Sequence, residues 1–573
     1  MDNIVFLILR RMRQPLLTLI TVYTVAITGL IMIPGEDPQG NTWHMSIFHA
    51  FYFVSYMSTT IGFGEVPHAF TDTQRMWVTF SLYAAVVSWI YALGTILSLL
   101  QDKTFQRALN ERSFARRISR MREPFYLICG YGETGQNLVR ALTDRGQHVV
   151  VIDKDETRTS LIQLQNLRDH VPALGADAQK PRHLQEAGLP HPACAGVVAV
   201  TDDNETNLKI AITSKLLHPE IKVICRADSQ EVEANLASFG TDYIIDPFDT
   251  FSTHLGTAFQ TPCLYLLRRW LGGAEDSALE DPVYPPRDGL WVVCGYGRFG
   301  KAMTERLESL GLRVVVIEAR PDITGDPPAG WVKGAGTEAE TLLEAGLDRA
   351  VGIIAGTDDD TDNLSIVMTA RDIQPDIFVV LRQNHSENQA IIEAVKADMV
   401  MHPSAIIADR IRVLLGTPML HHFVTQAVHQ DDSWHCELVS RISALVNQRV
   451  PDIEELRVSK DASPAISDAC EEGESITLGE VLRDPWQRER ALPCIVLLIR
   501  RGSAYLLLPE DSTQLRLGDQ LLAVGAQGVF SRLRWNLCHG AALDYVRGGR
   551  VQSQGWLWRR FAKGRGEQKR YKE

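Results

Sequence analysis

The chain has 573 residues, 45% of them hydrophobic and 22% charged, with a formal net charge of −12. At roughly one domain per 150 residues this length points to about four units; the ordinary composition excludes a collagen-like, largely disordered or disulfide-stapled chain, and the acidic balance excludes a generally basic nucleic-acid-binding body. A mean hydropathy of −0.07 excludes spans along the whole length, and nine scattered cysteines without a CxxC pair fit reduced cytosolic thiols better than a disulfide framework or a zinc site.

That average hides an apolar N-terminal end. Residues 15–34 carry no charge in 20 positions, and residues 76–100 none in 25. At 1.5 Å per residue each is long enough to cross about 30 Å of hydrocarbon as a helix. A secretory signal is the alternative for the first, but no small-residue cleavage site follows and a second span comes soon after. Arg10, Arg11 and Arg13 precede the first stretch, Lys103, Arg107, Arg112, Arg116, Arg117, Arg120 and Arg122 follow the second, and only Arg75 lies between. The positive-inside rule then places both termini and all later domains in the cytoplasm of a two-span protein of the cell membrane.

Between the spans, residues 43–58 are apolar and aromatic but too short for an ordinary span, which predicts a re-entrant helix over 44–58. It runs into Thr59, Thr60, Ile61, Gly62, Phe63, Gly64 and Glu65. Glycine at alternate positions permits positive φ, so successive carbonyls can point the same way. Four such strands around an axis would offer rings of oxygens in place of the hydration shell of a monovalent cation, with a hydroxyl ring from Thr60. This segment and its flanking spans resemble the pore of a two-span potassium channel, with the T-x-G-Y/F-G-D/E filter falling on residues 60–65. The resemblance implies K+ as permeant ion, a homotetramer in the bilayer, and a gate hinge at Gly94 in the second span. Phe63 stands where many members have Tyr and Glu65 where Asp is commoner. Gly94 serves close packing equally well on its residue type alone. Residues 101–124 read as a linker, either a basic helix near headgroups or a solvated connector.

The rest of the chain contains an internal repeat. Residues 125–153 and 290–318 each read as strand, G-x-G-x-x-G, helix and second strand ending in an acid 18 residues after the last glycine. Gly130, Gly132 and Gly135 match Gly295, Gly297 and Gly300, with Glu133 and Thr134 opposite Arg298 and Phe299. This is the dinucleotide-binding context: a tight turn, a close backbone approach to phosphate, and a helix N-terminus facing the anion. A fold that keeps these glycines without holding a ligand is the alternative. Asp153 and Glu318 would accept ribose hydroxyls, favouring NAD(H), ADP or AMP over a 2′-phosphate, though Arg320 relaxes that exclusion in the second copy. Asp177 has only a glycine opposite it, at 336. Arg226 and Arg382, at matching strand ends, are phosphate partners or surface ion-pair members. The acidic runs after Thr201 and Thr357, including Asp202, cap helices or offer carboxylates to Ca2+.

With their helix-Thr-Pro-helix segments these copies resemble RCK domains, regulators of potassium conductance, related to nucleotide-binding subunits of bacterial potassium uptake systems. The expected layout is a pore domain over 1–100, a linker over 101–124, a first RCK domain over 125–280, a linker over 281–289, and a second RCK domain over 290–430. A small α+β subdomain over 431–530 and a basic tail over 531–573 follow. The expected fold class is therefore a multidomain chain: an α-helical pore, then two Rossmann-like α/β lobes and the α+β subdomain. The reading is a non-enzymatic, ligand-gated potassium channel. A membrane-anchored NAD-dependent oxidoreductase lacks an assignable His or Lys constellation and leaves residues 59–65 unexplained. A regulatory subunit of an uptake system would have no need of a filter.

Overall fold

The computed structural model describes residues 2–272, 279, 281–446 and 448–549. The chain divides into two units, one of residues 1–121 with 186–188 and the other of 122–185 with 189–573.

The first unit is helical. An outer helix, Asp2–Met32, packs on an inner helix, Asp72–Gln101. Both contain stretches long and apolar enough to cross a membrane, Arg10–Met32 and Asp72–Gln101. Gly29 makes the close approach possible, because a Cβ there would lie 2.1 Å from the Trp77 ring. Trp77 Nε1 donates to Ala26 O at 3.1 Å and Trp89 Nε1 to the Tyr23 hydroxyl at 3.1 Å. The short helix Ile47–Ser58 sits against this pair, capped by Ser46, whose hydroxyl accepts from His49 N. Ala50, Phe53, Val54 and Met57 bury its inner face with Ala26, Leu30 and Phe70. A two-stranded hairpin, Gly35–Glu36 with Thr42–Trp43, precedes it. Residues Lys103–Ile118 of the expected linker form a helix.

The second unit holds two six-stranded parallel sheets of identical topology. The first runs Ala173–Gly175, His148–Asp153, Phe125–Cys129, Cys194–Ala199, Val223–Arg226, Tyr243–Ile245. The second runs Val332–Lys333, Arg313–Glu318, Leu290–Cys294, Ala350–Ala355, Phe378–Arg382, Met399–Met401. In each, the strand before the glycine loop lies centrally, where the chain reverses direction across the sheet, the usual ligand crevice of this fold class. Almost every central-strand residue is buried, as parallel strands covered on both faces require.

The helices after each sheet are exchanged. Pro247–Gln260 follows the first sheet, yet its Phe248, Phe251, Leu255 and Phe259 pack with Trp291, Val293, Phe299 and Met303 of the second lobe. Reciprocally, Ile407, Ile411, Leu414 and Leu415 of Pro403–Gly416 pack with Ile128, Leu138, Val139 and Leu142 of the first. Each lobe's core is completed by the other's helix.

A C-terminal module contains an antiparallel sheet ordered Asp452–Arg457, Gln520–Gly525, Cys494–Arg501, Ala504–Leu507. It extends past residue 530. Helices Val529–Cys538 and Gly540–Gly548 bury Leu533, Leu537, Leu543 and Val546 in its core, so the first part of the expected basic tail is structural. Residues 550–573 of that tail lie outside the described residues. The expectation of reduced thiols throughout is corrected at one pair: Cys263 and Cys436 are disulfide-bonded, because helices Pro262–Gly272 and Asp432–Leu445 pack with Cα atoms 5.0 Å apart.

Candidate functional site

Residues 59–65 leave the short helix through its C-cap, Thr59, whose N–H donates to Ser55 O. Thr60 N donates to Met57 O and Ile61 N to Tyr56 O. Thr60, Gly62 and Gly64 then take φ of +60°, +64° and +91°, while Ile61 and Phe63 between them do not enter that region. Alternation of the two hands turns successive peptide carbonyls toward one side, the arrangement expected of a carbonyl-lined path. Ile61 and Phe63 are 61% and 65% exposed, and no heavy atom lies within 4 Å of a Cβ built on Gly62 or Gly64. The segment is held from behind by three groups the sequence reading missed. The Tyr56 hydroxyl donates to Gly64 O, with its ring 5.4 Å from that of Phe63. Arg75 Nε donates to Glu65 Oε1 at 2.9 Å, and Phe70 N to Glu65 Oε2 at 2.8 Å. Tyr56 thus supplies, from the preceding helix, a hydroxyl brace that Phe63 cannot. The inner helix runs unbroken through Gly94, where a Cβ would meet nothing within 4 Å.

In both lobes the glycine loop is built alike. Gly130 and Gly295 take φ of +106° and +91°. Gly132 and Gly297 are N-caps without a side-chain bond, leaving the first helical amides free to meet an anion. Gly135 and Gly300 let each helix approach its strand, since added Cβ atoms would stand 2.1 and 1.9 Å from Gly130 O and Gly295 O. Thr134 and Phe299 face inward and are buried, so neither side chain lines a crevice. Asp153 and Glu318 end the second strands as expected, and both are spent largely on the backbone. Asp153 accepts from Tyr131 N and Asp155 N; Glu318 accepts from Tyr296 N and Arg320 N, both at 2.6 Å. Their remaining lone pairs are what a ribose could use.

A buried asparagine in each copy ties the crevice together. Asn207 Oδ1 accepts from Thr201 N and Oγ1 while its Nδ2 donates to Arg226 O; Asn363 does the same for Thr357 N, Thr357 Oγ1 and Arg382 O. Both are 0% exposed. The signal was present, because the paired segments VVAVTDDNETN and IIAGTDDDTDN both end in that residue. Asp203 and Asp359 accept from the first amides of the following helices, so these acids act as caps.

The side chains around the two crevices differ. In the first lobe Arg226 pairs with Asp202 at 3.1 Å and with buried Asp228 at 3.0 Å. Arg158 Nη1 and Asp202 Oδ2 stand beside Gly132, at the ordinary contact distances of 3.7 and 4.0 Å from a Cβ built there. Glu133, at the helix N-terminus, instead accepts from Ser386 N and Oγ at 3.0 and 2.9 Å in the second lobe, with His402 at 3.5 Å. Burial alone would raise its carboxyl pKa, but these contacts outweigh it and hold it below the ordinary value. Asp177 takes Gln179 N.

The second lobe is open. Its crevice is a cavity of about 570 Å³, lined by Gly295, Gly297, Arg298, Glu318, Arg320, Thr357, Arg382 and others. No heavy atom lies within 4 Å of a Cβ built on Gly297. Arg382 makes no ion pair among the described residues, and its buried Nε has no hydrogen-bond partner. Its guanidinium lies 5.3 Å from the Phe248 ring and 5.9 Å from that of Phe299, and desolvation lowers its pKa. Arg298 reaches back to Asp228 at 2.7 Å, linking the lobes. Among the lining residues there is no histidine or lysine, and burial pushes the Cys294 thiol up to about 12.

The TrkA-N domain family matches residues 126–247 and 291–403. Among curated relatives, Potassium channel protein 1 of Methanocaldococcus jannaschii is 20% identical over 43% of this chain and 65% of its own length. The voltage-gated potassium channel Kch of Escherichia coli is 21% identical over 35% of this chain and 47% of its own. An uncharacterized protein of Methanothermus fervidus is 31% identical over 20% of this chain and 19% of its own length, so the chain spans less than two thirds of these relatives. A solved structure named GsuK Channel aligns over 96% of this chain and 100% of its own, at 17% identity and a TM-score of 0.48.

Proposed function

We propose that this chain, which carries two TrkA-N domains, is one subunit of a potassium-selective channel regulated by an adenine nucleotide. Four copies, anchored by the two apolar helices with the lobes in the cytoplasm, complete the pore. The carrying observation is the alternation of backbone hand at Thr60, Gly62 and Gly64, directly after a capped helix too short to span. Irregular backbone of this kind is tolerated at membrane depth only where protein buries it or it lines an aqueous path. Carbonyls turned to one side would replace an ion's hydration shell. Matches to two proteins named as potassium channels support the same reading.

The nucleotide reading rests on the second lobe. The free amides of the helix Arg298–Ser309, with Arg382, suit a phosphate, and Glu318 suits a ribose. NAD(H), ADP or AMP are the ligands of choice. On this reading the ligand regulates the channel; the cavity wall carries no imidazole or amine, and burial pushes the Cys294 thiol up to about 12. Moving a gate from 1:99 to 99:1 takes about 5.5 kcal/mol of differential binding, or roughly 1.4 kcal/mol per chain over four copies. Modest affinity therefore suffices.

The test is ion flux through the purified full chain in liposomes, comparing K+ with Na+ and adding nucleotides. Gly62→Asp places a side chain and a charge on the carbonyl path, so K+ flux should fall to the level of empty vesicles. Undiminished K+ flux in that variant overturns the pore assignment.

A further inference from the structure

Where the helix Pro262–Gly272 meets the helix Asp432–Leu445, four ligand-type side chains gather. On its own helix Asp432 has both His435 (i+3) and Cys436 (i+4) as neighbours, His435 meeting its Oδ1 and Cys436 its Oδ2, and Cys263 meets Cys436 from the other helix. Cys263 Sγ, Cys436 Sγ and a carboxylate oxygen of Asp432 all lie within 4.8 Å of one another. Cys436 Sγ is 3.9 Å from Asp432 Oδ2.

His435 is the second, independent observation. Its side chain is 0% exposed. Nε2 lies 2.9 Å from Ala427 O, a contact that needs a proton on Nε2. In the neutral ring this leaves a bare lone pair on Nδ1, the tautomer in which a backbone carbonyl orients a metal-binding imidazole. Nδ1 faces Asp432 Oδ1 at 3.8 Å, and neither buried atom has a hydrogen-bond partner. That gap is too long for a hydrogen bond. A zinc ion roughly 2.0 to 2.2 Å from each atom would bridge it. Two desolvated acceptors facing one another without a cation are costly.

We propose that Cys263, Asp432, His435 and Cys436 form a binding site for a borderline-soft divalent cation of the Zn2+ type, open when both thiols are reduced and closed when they are joined. Two sulfurs, an imidazole and one carboxylate are a zinc-type donor set and a poor one for Ca2+ or Mg2+. Opening is thiol–disulfide exchange: two equivalents of a small cellular thiol leave as their own disulfide, and Cys263 and Cys436 each gain a proton. Metal binding then expels both thiol protons. The two sulfurs must separate to roughly 3.7 Å, the edge of a tetrahedron with 2.3 Å bonds. Either state ties the two helices together, covalently or through the ion; the reduced, metal-free state alone releases them.

The test uses the untagged full chain in detergent, stripped of metal and prepared oxidised or phosphine-reduced, then titrated with Co2+ and, separately, Zn2+. The reduced chain should take up one equivalent with a thiolate-to-cobalt charge-transfer band, and the oxidised chain none. Cys263→Ser with Cys436→Ser should abolish the band, and Asp432→Asn should weaken binding about tenfold or more. Absence of uptake by the reduced chain overturns the site, as does equal uptake in both redox states. A band surviving in the double variant would assign it to the seven other cysteines and overturn the proposal equally. Should that variant fail to fold, the oxidised and reduced wild-type chains decide alone. None of these outcomes bears on K+ flux, which is read separately.

Discussion

The two glycine loops share a backbone and differ in what surrounds it. In the first lobe Arg226 is held between Asp202 and Asp228, Arg158 stands near Gly132, and Glu133 is drawn into the second lobe. In the second, Arg382 makes no ion pair among the described residues and the loop opens on a cavity of about 570 Å³. A glycine fingerprint therefore specifies a turn, and side chains far away in sequence decide whether the turn is available to an anion. In the first lobe Arg226 and Glu133 are both committed to protein partners; in the second Arg298 is committed to Asp228, while Arg382 makes no ion pair among the described residues.

The largest effect falls on what the lobes share. Gly300→Ala drives a Cβ to 1.9 Å from Gly295 O, and Gly135→Ala to 2.1 Å from Gly130 O. Each should destabilise the chain by ~3 kcal/mol or more, read as a lowered melting temperature of the detergent-solubilised protein. If Gly135→Ala is harmless, the lobes differ in backbone as well as side chains. Next comes the arginine pair. Arg382→Gln should weaken nucleotide binding about tenfold, because a charge-assisted bond to phosphate is lost. Arg226→Gln should leave affinity within about twofold and lower stability, since Asp228 loses one of its two arginines. Calorimetric titration of both variants checks this; equal losses would place a ligand in each lobe.

The smallest effect is at Glu133. Its carboxyl pKa is held below the ordinary 4.5 in the folded chain, so its contribution is complete above that value and vanishes as pH falls through the lowered one. Glu133→Gln should cost about 1 kcal/mol near neutral pH, with the difference closing in acid. Melting temperatures across that range measure it. A constant difference would assign the loss to packing.

Much of this was legible in the sequence, where short-range pattern governs. The alternating backbone of residues 60–64, the short helix before it, both apolar helices and the duplicated sheets follow from periodicity and glycine spacing. Long-range partners did not. Nothing in the chain near Glu133 points to Ser386, 253 positions away, and the capture of Arg226 depends on a loop folding back onto its strand. The exchange of helices was also hidden, since an apolar stripe announces that a helix is buried without saying against which sheet. At 532–548 the count of basic residues masked an apolar spacing, Leu533, Leu537, Leu543 and Val546, that places these helices in the core. Tyr56 was read as one aromatic among many, and its hydroxyl gains meaning only once Gly64 lies beside it.

The reciprocal helices imply that half of this pair is not a self-sufficient protein. Cut after residue 272, the first lobe would present Phe248, Phe251, Leu255 and Phe259 to water while leaving Ile128, Leu138 and Leu142 uncovered. Two such fragments could satisfy one another, and fusing them into one polypeptide replaces a concentration-dependent encounter with a tethered one. Once tethered, the halves need not be identical, and the side chains around their two glycine loops differ.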